Sequence, residues 1–400
     1  MLYATGDDTA QDKVKSVTQG TFQWHPATRV ITSGDQIAQL CGLVRDHCSI
    51  SVSALGVSAL DGQGHLHCAT SGSTGTSKVI RRTQHSWTRS FAVNGRVLGL
   101  SPADCIAVFG TLAHSLVLYG TLEAAHHGTR ILDLHGLRPD RQGGALAREQ
   151  ATVLYITPTQ LGLLCTGVTP PLASVRHILV GGGQLSDRIR TAAARLFPNA
   201  RLIHFYGAAE TSFIAWSNGS APRGSVGTAY PDVRLSIRDE AGHETGGIGE
   251  IWVKSPYLFD GYANTHSADT RWNGDYLSIA ELGRLDGDGN LFVMGRRNRM
   301  VTISDINVFP EEIETYLAGV AGTDDVVVIP LPDPKRGSRL VAVIAGADPS
   351  MGENEVLQLC RRDLGPLRAP RRVLFAPQLA MLPAGKPDYR AIRKWVESNT

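Results

Sequence analysis

Thr70-Ser71-Gly72-Ser73-Thr74-Gly75-Thr76-Ser77-Lys78 is the stretch on which the reading of the whole chain turns. Its glycines let the backbone come close to a bound anion. Its hydroxyls and backbone N–H groups bond phosphate oxygens, and the lysine adds a positive charge. It is not a Walker A loop, because Ser77 precedes the lysine where that motif requires glycine. It follows a short apolar–polar stretch and reads as running into a helix. On composition alone it is equally compatible with a flexible Ser/Gly surface loop, so its surroundings decide.

Working outward, residues 50–215 alternate short apolar runs with helical stretches. Ile106-Ala107-Val108-Phe109, Val153-Leu154-Tyr155-Ile156 and Ile178-Leu179-Val180 are the strand candidates. That alternation predicts an α/β layering with parallel strands. Upstream, Ile37, Leu40, Cys41 and Val44 fall at helical spacing, with Ser33 or Asp35 to cap a helix over 33–46. Downstream, residues 224–262 change to short alternating strands between glycine-rich turns, a β-rich subdomain. After Arg296 the texture changes again. A helix over 310–317, strands over 326–329 and 340–344 and a helix over 353–362 predict a compact α+β unit of about 100 residues.

The 400 residues suggest more than one domain, and 42% hydrophobic with 19% charged residues is a globular composition. A net charge of +2 argues against a nucleic-acid partner or an anionic-membrane surface. The six cysteines form no C-x-x-C pair and no zinc-finger spacing, so they read as reduced thiols of a cytoplasmic protein. The first 20 residues are polar, which argues against a signal peptide. No apolar run approaches the roughly 18 residues of a membrane span.

Three further segments carry chemistry. Gly181-Gly182-Gly183 follows a buried strand and would let a flat ligand lie on the backbone. Phe205-Tyr206-Gly207-Ala208-Ala209-Glu210 puts an aromatic ring and a carboxylate at a strand end, where open α/β sheets bind ligands. Pro383-Ala384-Gly385-Lys386-Pro387 sets one lysine in a Gly/Pro turn near the C-terminus. Each is also compatible with an ordinary turn when taken singly.

Together these segments resemble the adenylate-forming, AMP-binding superfamily of acyl- and aryl-CoA synthetases, adenylation domains and luciferases, over residues 68–392. Ser71 to Lys78 resembles its S-G-[ST]-T-G-x-P-K loop, and Tyr206 to Glu210 its Y-G-x-[TS]-E. Gly227 to Pro231 with Gly249-Glu250-Ile251 resembles its G-x-x-G-x-P…G-E-[IL] region. Glu281 to Asp286, through Gly295-Arg296, resembles its G-D-x-G-R-x-D…G-R region. Gly385-Lys386 matches the G-K that ends its catalytic-lysine motif.

The resemblance implies ATP and Mg²⁺ as cofactors, with CoA where CoA is the acceptor. It implies that Ser71, Gly72, Ser73, Thr74, Gly75 and Lys78 hold the departing phosphates. Gly181, Gly182, Gly183, Tyr206 and Gly207 would frame adenine, and Glu281 and Arg296 would contact ribose and nearby phosphate. Glu210 would bind Mg²⁺, a hard cation suited to oxygen ligands. Lys386 would be the catalytic cation, because joining a carboxylate to a phosphate brings two anions together. His114 aligns with the residue beside the acyl carboxylate. Two domains are implied: an adenylation domain over 1–297 and a small mobile α+β domain over 298–400 carrying Lys386, rotating about Asn298. The partners implied are a small carboxylic acid and CoA or an acyl carrier protein.

Departures from the family pattern shape these expectations. Ala209 stands where Thr or Ser is usual, Glu281 where Asp is usual, and Asp305 where Gly is common near the pantetheine arm. The phosphate loop also starts early, as in a compact member with a shortened N-terminus. No Asp lies in residues 109–119 to pair with an α-amine, and a buried unpaired ammonium is costly. An acyl or aryl acid without an α-amine is therefore favoured, with Ser115, Leu118, Tyr119, Thr211, Ser212 and Phe213 lining its pocket. The leading expectation is an ATP-dependent acid–thiol ligase. The alternatives are an acyl-adenylate amide ligase and a degenerate nucleotide-binding member.

Overall fold

The computed structural model describes residues 20–31, 34–70, 78–167, 170–217, 221–304, 306–348, 350–382 and 387–400. The fold is mixed α/β, with a large N-terminal part and a small C-terminal part.

The largest sheet has six parallel strands in the spatial order Arg29–Ile31, Arg130–Asp133, Cys105–Val108, Val153–Ile156, His177–Val180 and Arg201–Ala208. Two antiparallel strands, Ser212–Trp216 and Thr228–Ala229, complete it. All four residues of Val153–Ile156 are buried, because alternate residues enter different cores. Val153 and Tyr155 meet Trp87, Phe91 and Leu118 on one face, while Leu154 and Ile156 meet Leu146, Leu161 and Ile189 on the other. The helix expected over 33–46 is Asp35–Arg45, with Ile37, Leu40, Cys41 and Val44 buried as the spacing requires.

Residues 50–83 depart from the expected parallel layering. They form a separate sheet in the order Gly261–Tyr262, Lys78–Thr83, His65–Thr70, Ser49–Ser53, Gly56–Leu60. Only Ser49–Ser53 and His65–Thr70 run parallel in it. Residues 71–77 therefore connect an antiparallel pair in which Thr70 stands opposite Lys78, and they do not lead into a helix. Lys78 begins a strand whose Ile80 and Arg82 face inward, a β-type alternation that outweighs the helical reading. The helix Gln84–Leu98 starts six residues later, where the Thr83 hydroxyl accepts from the Ser86 N–H.

The β-rich region is larger than 224–262. Its six strands, Arg234–Arg238, Gly249–Lys254, Arg271–Asn273, Tyr276–Ser278, Glu281–Leu285 and Leu291–Arg296, are antiparallel throughout. Beyond it lie the hairpin Val301–Ile303 and Ile306–Val308, the helix Pro310–Ala321, and a three-stranded sheet of Val326–Asp333, Gly337–Ala345 and Arg372–Ala376. Pro310 at the first helical position, followed by Glu311 and Glu312, suits the positive end of that helix. The helices Glu353–Asp363 and Tyr389–Ser398 finish the chain. The two hydrophobic clusters of the small part draw their buried residues from 303–396, and those of the large part from 22–291.

Candidate active site

Three expected segments emerge at the C-terminal ends of neighbouring parallel strands. They are the loop to His114 after Cys105–Val108, Gly181–Gly183 after His177–Val180, and Tyr206–Glu210 at the end of Arg201–Ala208. This is the edge at which open parallel sheets bind ligands.

The glycine turn has a steric cause. A Cβ on Gly181 would lie 2.2 Å from the Phe205 ring, so only glycine lets that ring lie on the backbone. Gly182 has φ +86°, in the left-handed region. The His204 Nε2–H donates to the Gly183 carbonyl at 3.0 Å, and burial pushes this imidazole down to about 4, keeping it neutral. His204 thus steadies the turn, although no motif singled it out.

Tyr206 and Glu281 meet. The Tyr206 hydroxyl donates to Glu281, whose other oxygen lies 3.4 Å from Arg296 Nε. The cause is register: Glu281 and Arg296 are paired residues of antiparallel strands, so their side chains share a face. The Glu281 side chain is 13% exposed and Arg296 52%, so both reach the surface. Ala280, just before it, has φ +58°, a conformation that costs a residue with a Cβ.

A second cluster gathers at the edge of the small antiparallel sheet. Lys78 Nζ donates to the Ser267 hydroxyl at 2.8 Å and lies 5.4 Å from the centre of the Tyr262 ring. The Tyr262 hydroxyl donates to Glu210 Oε1 at 2.7 Å and shares a 2.9 Å bond with Thr270. Burial, then the Glu210 charge, holds the phenol above its ordinary range, so it stays a donor. The Phe259 N–H donates to the Glu210 carbonyl at 2.9 Å. Tyr262 thus links the expected phosphate-binding lysine to the expected metal-binding carboxylate. Residues 210, 262 and 78 lie on segments far apart in the chain, and sequence reasoning gave Tyr262 no role.

Residues 66–263 match the model of the AMP-binding enzyme family, and residues 312–386 match that of its C-terminal domain. An uncharacterized acyl–CoA ligase of Bacillus subtilis is 31% identical over 335 residues, 82% of this chain and 68% of that protein. The chain belongs to the AMP-binding enzyme family.

This membership makes it an ATP-dependent, AMP-forming ligase. A putative long chain fatty acid–CoA ligase of Staphylococcus epidermidis is 29% identical over 281 residues, 69% of this chain and 59% of that protein. Among solved structures, an amide bond synthetase of Marinactinospora thermotolerans superposes with a TM-score of 0.74 at 27% identity, over 82% of this chain and 69% of that one. An o-succinylbenzoate–CoA synthetase of Bacillus subtilis shares the fold with a TM-score of 0.73 at 22% identity, over 82% of this chain and 68% of that one.

In this AMP-binding enzyme, Ser71, Gly72, Ser73, Thr74, Gly75, Asp305 and Lys386 lie outside the described residues. His114 precedes the helix Ser115–His127; its N–H donates to the Thr111 carbonyl at 3.0 Å, and its ring packs near Gly110. Gly207 occupies a register shift between Arg201–Ala208 and Ser212–Trp216, where a Cβ would lie 2.0 Å from the Ser212 carbonyl. The residues expected to line the acid pocket are held by neighbouring groups. Thr211 is buried and its hydroxyl accepts from the Ala208 N–H at 3.1 Å. The Ser212 hydroxyl accepts from Arg82 at 2.7 Å and from Trp87 at 2.9 Å. Tyr119 and Phe213 are core rings 5.2 Å apart.

Proposed function

We propose that this chain activates a carboxylic acid without an α-amine as its acyl-adenylate and passes the acyl group to a thiol of CoA or of a carrier-protein phosphopantetheine. A carboxylate oxygen attacks the α-phosphorus of ATP and pyrophosphate leaves. The thiol sulfur then attacks the acyl carbon, its proton is lost, and AMP leaves. The observation that carries this reading is the Tyr206–Glu281–Arg296 cluster, which offers carboxylate acceptors for ribose hydroxyls beside a cation for phosphate.

The side chains have separate tasks. Tyr206 stacks on adenine with Gly181–Gly183 at its edge, and the Tyr262 bond aims the Glu210 carboxylate. Lys78, held by Ser267, would bind the departing phosphates. His114 would flank the acid, and Lys386 would neutralise charge in the transition state. Glu210 fits a role as the protein ligand of Mg²⁺. No cluster of three or more metal-ligating side chains exists among the described residues, and Mg²⁺ in nucleotide sites takes one or two carboxylates with the phosphates. The ion would supply charge neutralisation on those phosphates. We further assign the domain boundary to residues 297 and 298. Among the described residues no helix is long and apolar enough to cross a membrane; placement in the cytoplasm belongs to this proposal.

Carboxylate-dependent ATP–pyrophosphate exchange across aryl, fatty and amino acids tests the reading, with Lys386→Ala as control. Exchange supported by one acid class and lost in Lys386→Ala is expected; exchange with none of them would overturn it. The likeness to an amide bond synthetase favours a second reading in which an amine takes the acyl group. CoA-dependent AMP release, measured against amine-dependent release, separates the two.

A further inference from the structure

Arg82 is the largest side chain with no solvent exposure in the protein's described residues. An arginine head group is held in such a place only by bonds that replace its water. Those bonds go to the backbone around Glu210. Nη2 donates to the carbonyl of Ala209, the residue just before it. Nη1 donates to the Ser212 hydroxyl at 2.7 Å, the Tyr257 carbonyl at 3.2 Å and the Ser86 hydroxyl at 3.3 Å. The segment from Tyr257 leads to Phe259, whose N–H holds the Glu210 carbonyl at 2.9 Å. Nε is buried with no partner among the described residues, so the head group is placed for the fork and not for full satisfaction.

The turn between these anchors is under strain. Ser212 has φ +57°, a left-handed conformation that a serine keeps only when its surroundings impose it. Its hydroxyl is held by Arg82 and by Trp87 Nε1 at 2.9 Å, and donates to the Tyr257 carbonyl at 3.2 Å. Glu210 lies inside this clamped turn, with its own carboxylate turned away toward Tyr262 at 2.7 Å.

We propose that Arg82 is the positioning residue for Glu210: one guanidinium fork grips both sides of the turn and fixes the backbone from which the carboxylate, aimed by Tyr262, meets a divalent cation. This rests on Glu210 being the Mg²⁺ ligand. A lysine at 82 keeps the charge but has a single nitrogen head group in place of the planar fork, so it cannot span the Ala209 carbonyl, the Ser212 hydroxyl and the Tyr257 carbonyl together.

The test uses the full chain with ATP and Mn²⁺, following free Mn²⁺ by its electron paramagnetic resonance signal, with thermal melting alongside. Arg82→Lys is expected to weaken Mn²⁺ binding about tenfold, the usual effect of losing a group that orients a metal ligand, with the KM for the acid unchanged. Ser212→Ala removes an acceptor of the fork together with the hydroxyl's bonds to Trp87 and the Tyr257 carbonyl, and leaves Arg82 itself in place. It is expected to weaken binding roughly fivefold, the scale of one hydrogen bond, and it carries the test if Arg82→Lys does not fold. Glu210→Gln is the reference. If it weakens Mn²⁺ binding while folded Arg82→Lys or Ser212→Ala binds as the parent does, Arg82 is only a core residue and the proposal falls. If Glu210→Gln itself binds Mn²⁺ normally, the metal role of Glu210 fails first and takes the Arg82 proposal with it.

Discussion

Glu281 holds its carboxylate between the Tyr206 hydroxyl and the Arg296 guanidinium with 13% of its side chain exposed. A carboxylate accepts about four bonds in all, so its lone pairs can serve protein donors and a ligand together. Those lone pairs suit the two hydroxyls of a ribose. A hydrogen bond to a charged group contributes about 1.5–3 kcal/mol. Glu281→Ala is therefore expected to raise the KM for ATP about tenfold or more and leave the KM for the acid unchanged, in steady-state exchange kinetics. An unaltered KM for ATP would remove Glu281 from nucleotide binding. At this scale Tyr206, Glu281 and Arg296 could be singled out as candidates because each falls in a motif of fixed spacing, and their side chains do meet. Tyr262, His204 and Arg82 were not, because what they do depends on partners 52, 21 and 130 residues away.

The helix Ser115–His127 directs Tyr119 and Glu123, four residues apart, toward Ser90 and Asn94, four residues apart on Gln84–Leu98. The Tyr119 and Ser90 hydroxyls are 2.7 Å apart. Asn94 Nδ2 donates to Glu123 Oε1 at 2.9 Å, and the Tyr155 hydroxyl donates to the other Glu123 oxygen. Tyr230 closes the set by donating to Asn94 Oδ1 at 2.7 Å. Burial pushes the Glu123 carboxyl up from 4.5 to about 7, despite donors that favour its anion. The folded state then binds more protons than the unfolded state between those values. Stability is full below about 4.5 and falls as pH rises through about 7. Glu123→Gln keeps the shape without the titration. Urea denaturation is expected to show the parent losing stability from pH 5 to pH 8 and the variant losing much less. Tyr119 belongs to this network and to the aromatic core.

Across the whole molecule, two arginines two residues apart pair with different parts of the chain. The Arg297 N–H donates to the Ala280 carbonyl at 2.9 Å, and Arg297 Nη2 donates to Glu250 at 2.6 Å. Glu250 is 4% exposed and also accepts from Arg271 and Ser278. Arg299 instead donates to Glu314 at 2.6 Å and to the Tyr389 hydroxyl at 2.9 Å. Burial alone would lower the pKa of the Arg299 guanidinium, but the Glu314 and Glu311 carboxylates outweigh it and hold the charge in place. On the proposed boundary at 297 and 298, a rotation would turn the backbone at Asn298 and break the bonds from the Arg299 and Met300 N–H groups to the Arg296 carbonyl, at 3.0 and 3.1 Å. Asn298→Pro limits φ there. The expected outcome is ATP–pyrophosphate exchange near the parent rate with thioester formation slowed about tenfold or more, as when a domain closure becomes limiting. Equal loss of both half-reactions would place the pivot elsewhere.

The sequence by itself determined the order and type of most elements, since periodicity and turn residues act locally: Val153–Ile156 and Glu353–Asp363 lie where their patterns put them. It also supplied the proposed charge carriers of the site, because phosphate and metal chemistry restricts residue type and spacing. Only the tertiary structure decided how those residues are aimed. Strand pairing turned the stretch before Lys78 into a hairpin connection, since Thr70 and Lys78 face each other. Register put Glu281 beside Arg296. Lys78 meets Ser267 across 189 residues of chain, and Arg82 meets Tyr257 across 175. No local pattern encodes such pairs, because the energy that selects them comes from burial and hydrogen bonding that exist only once the separate sheets have packed.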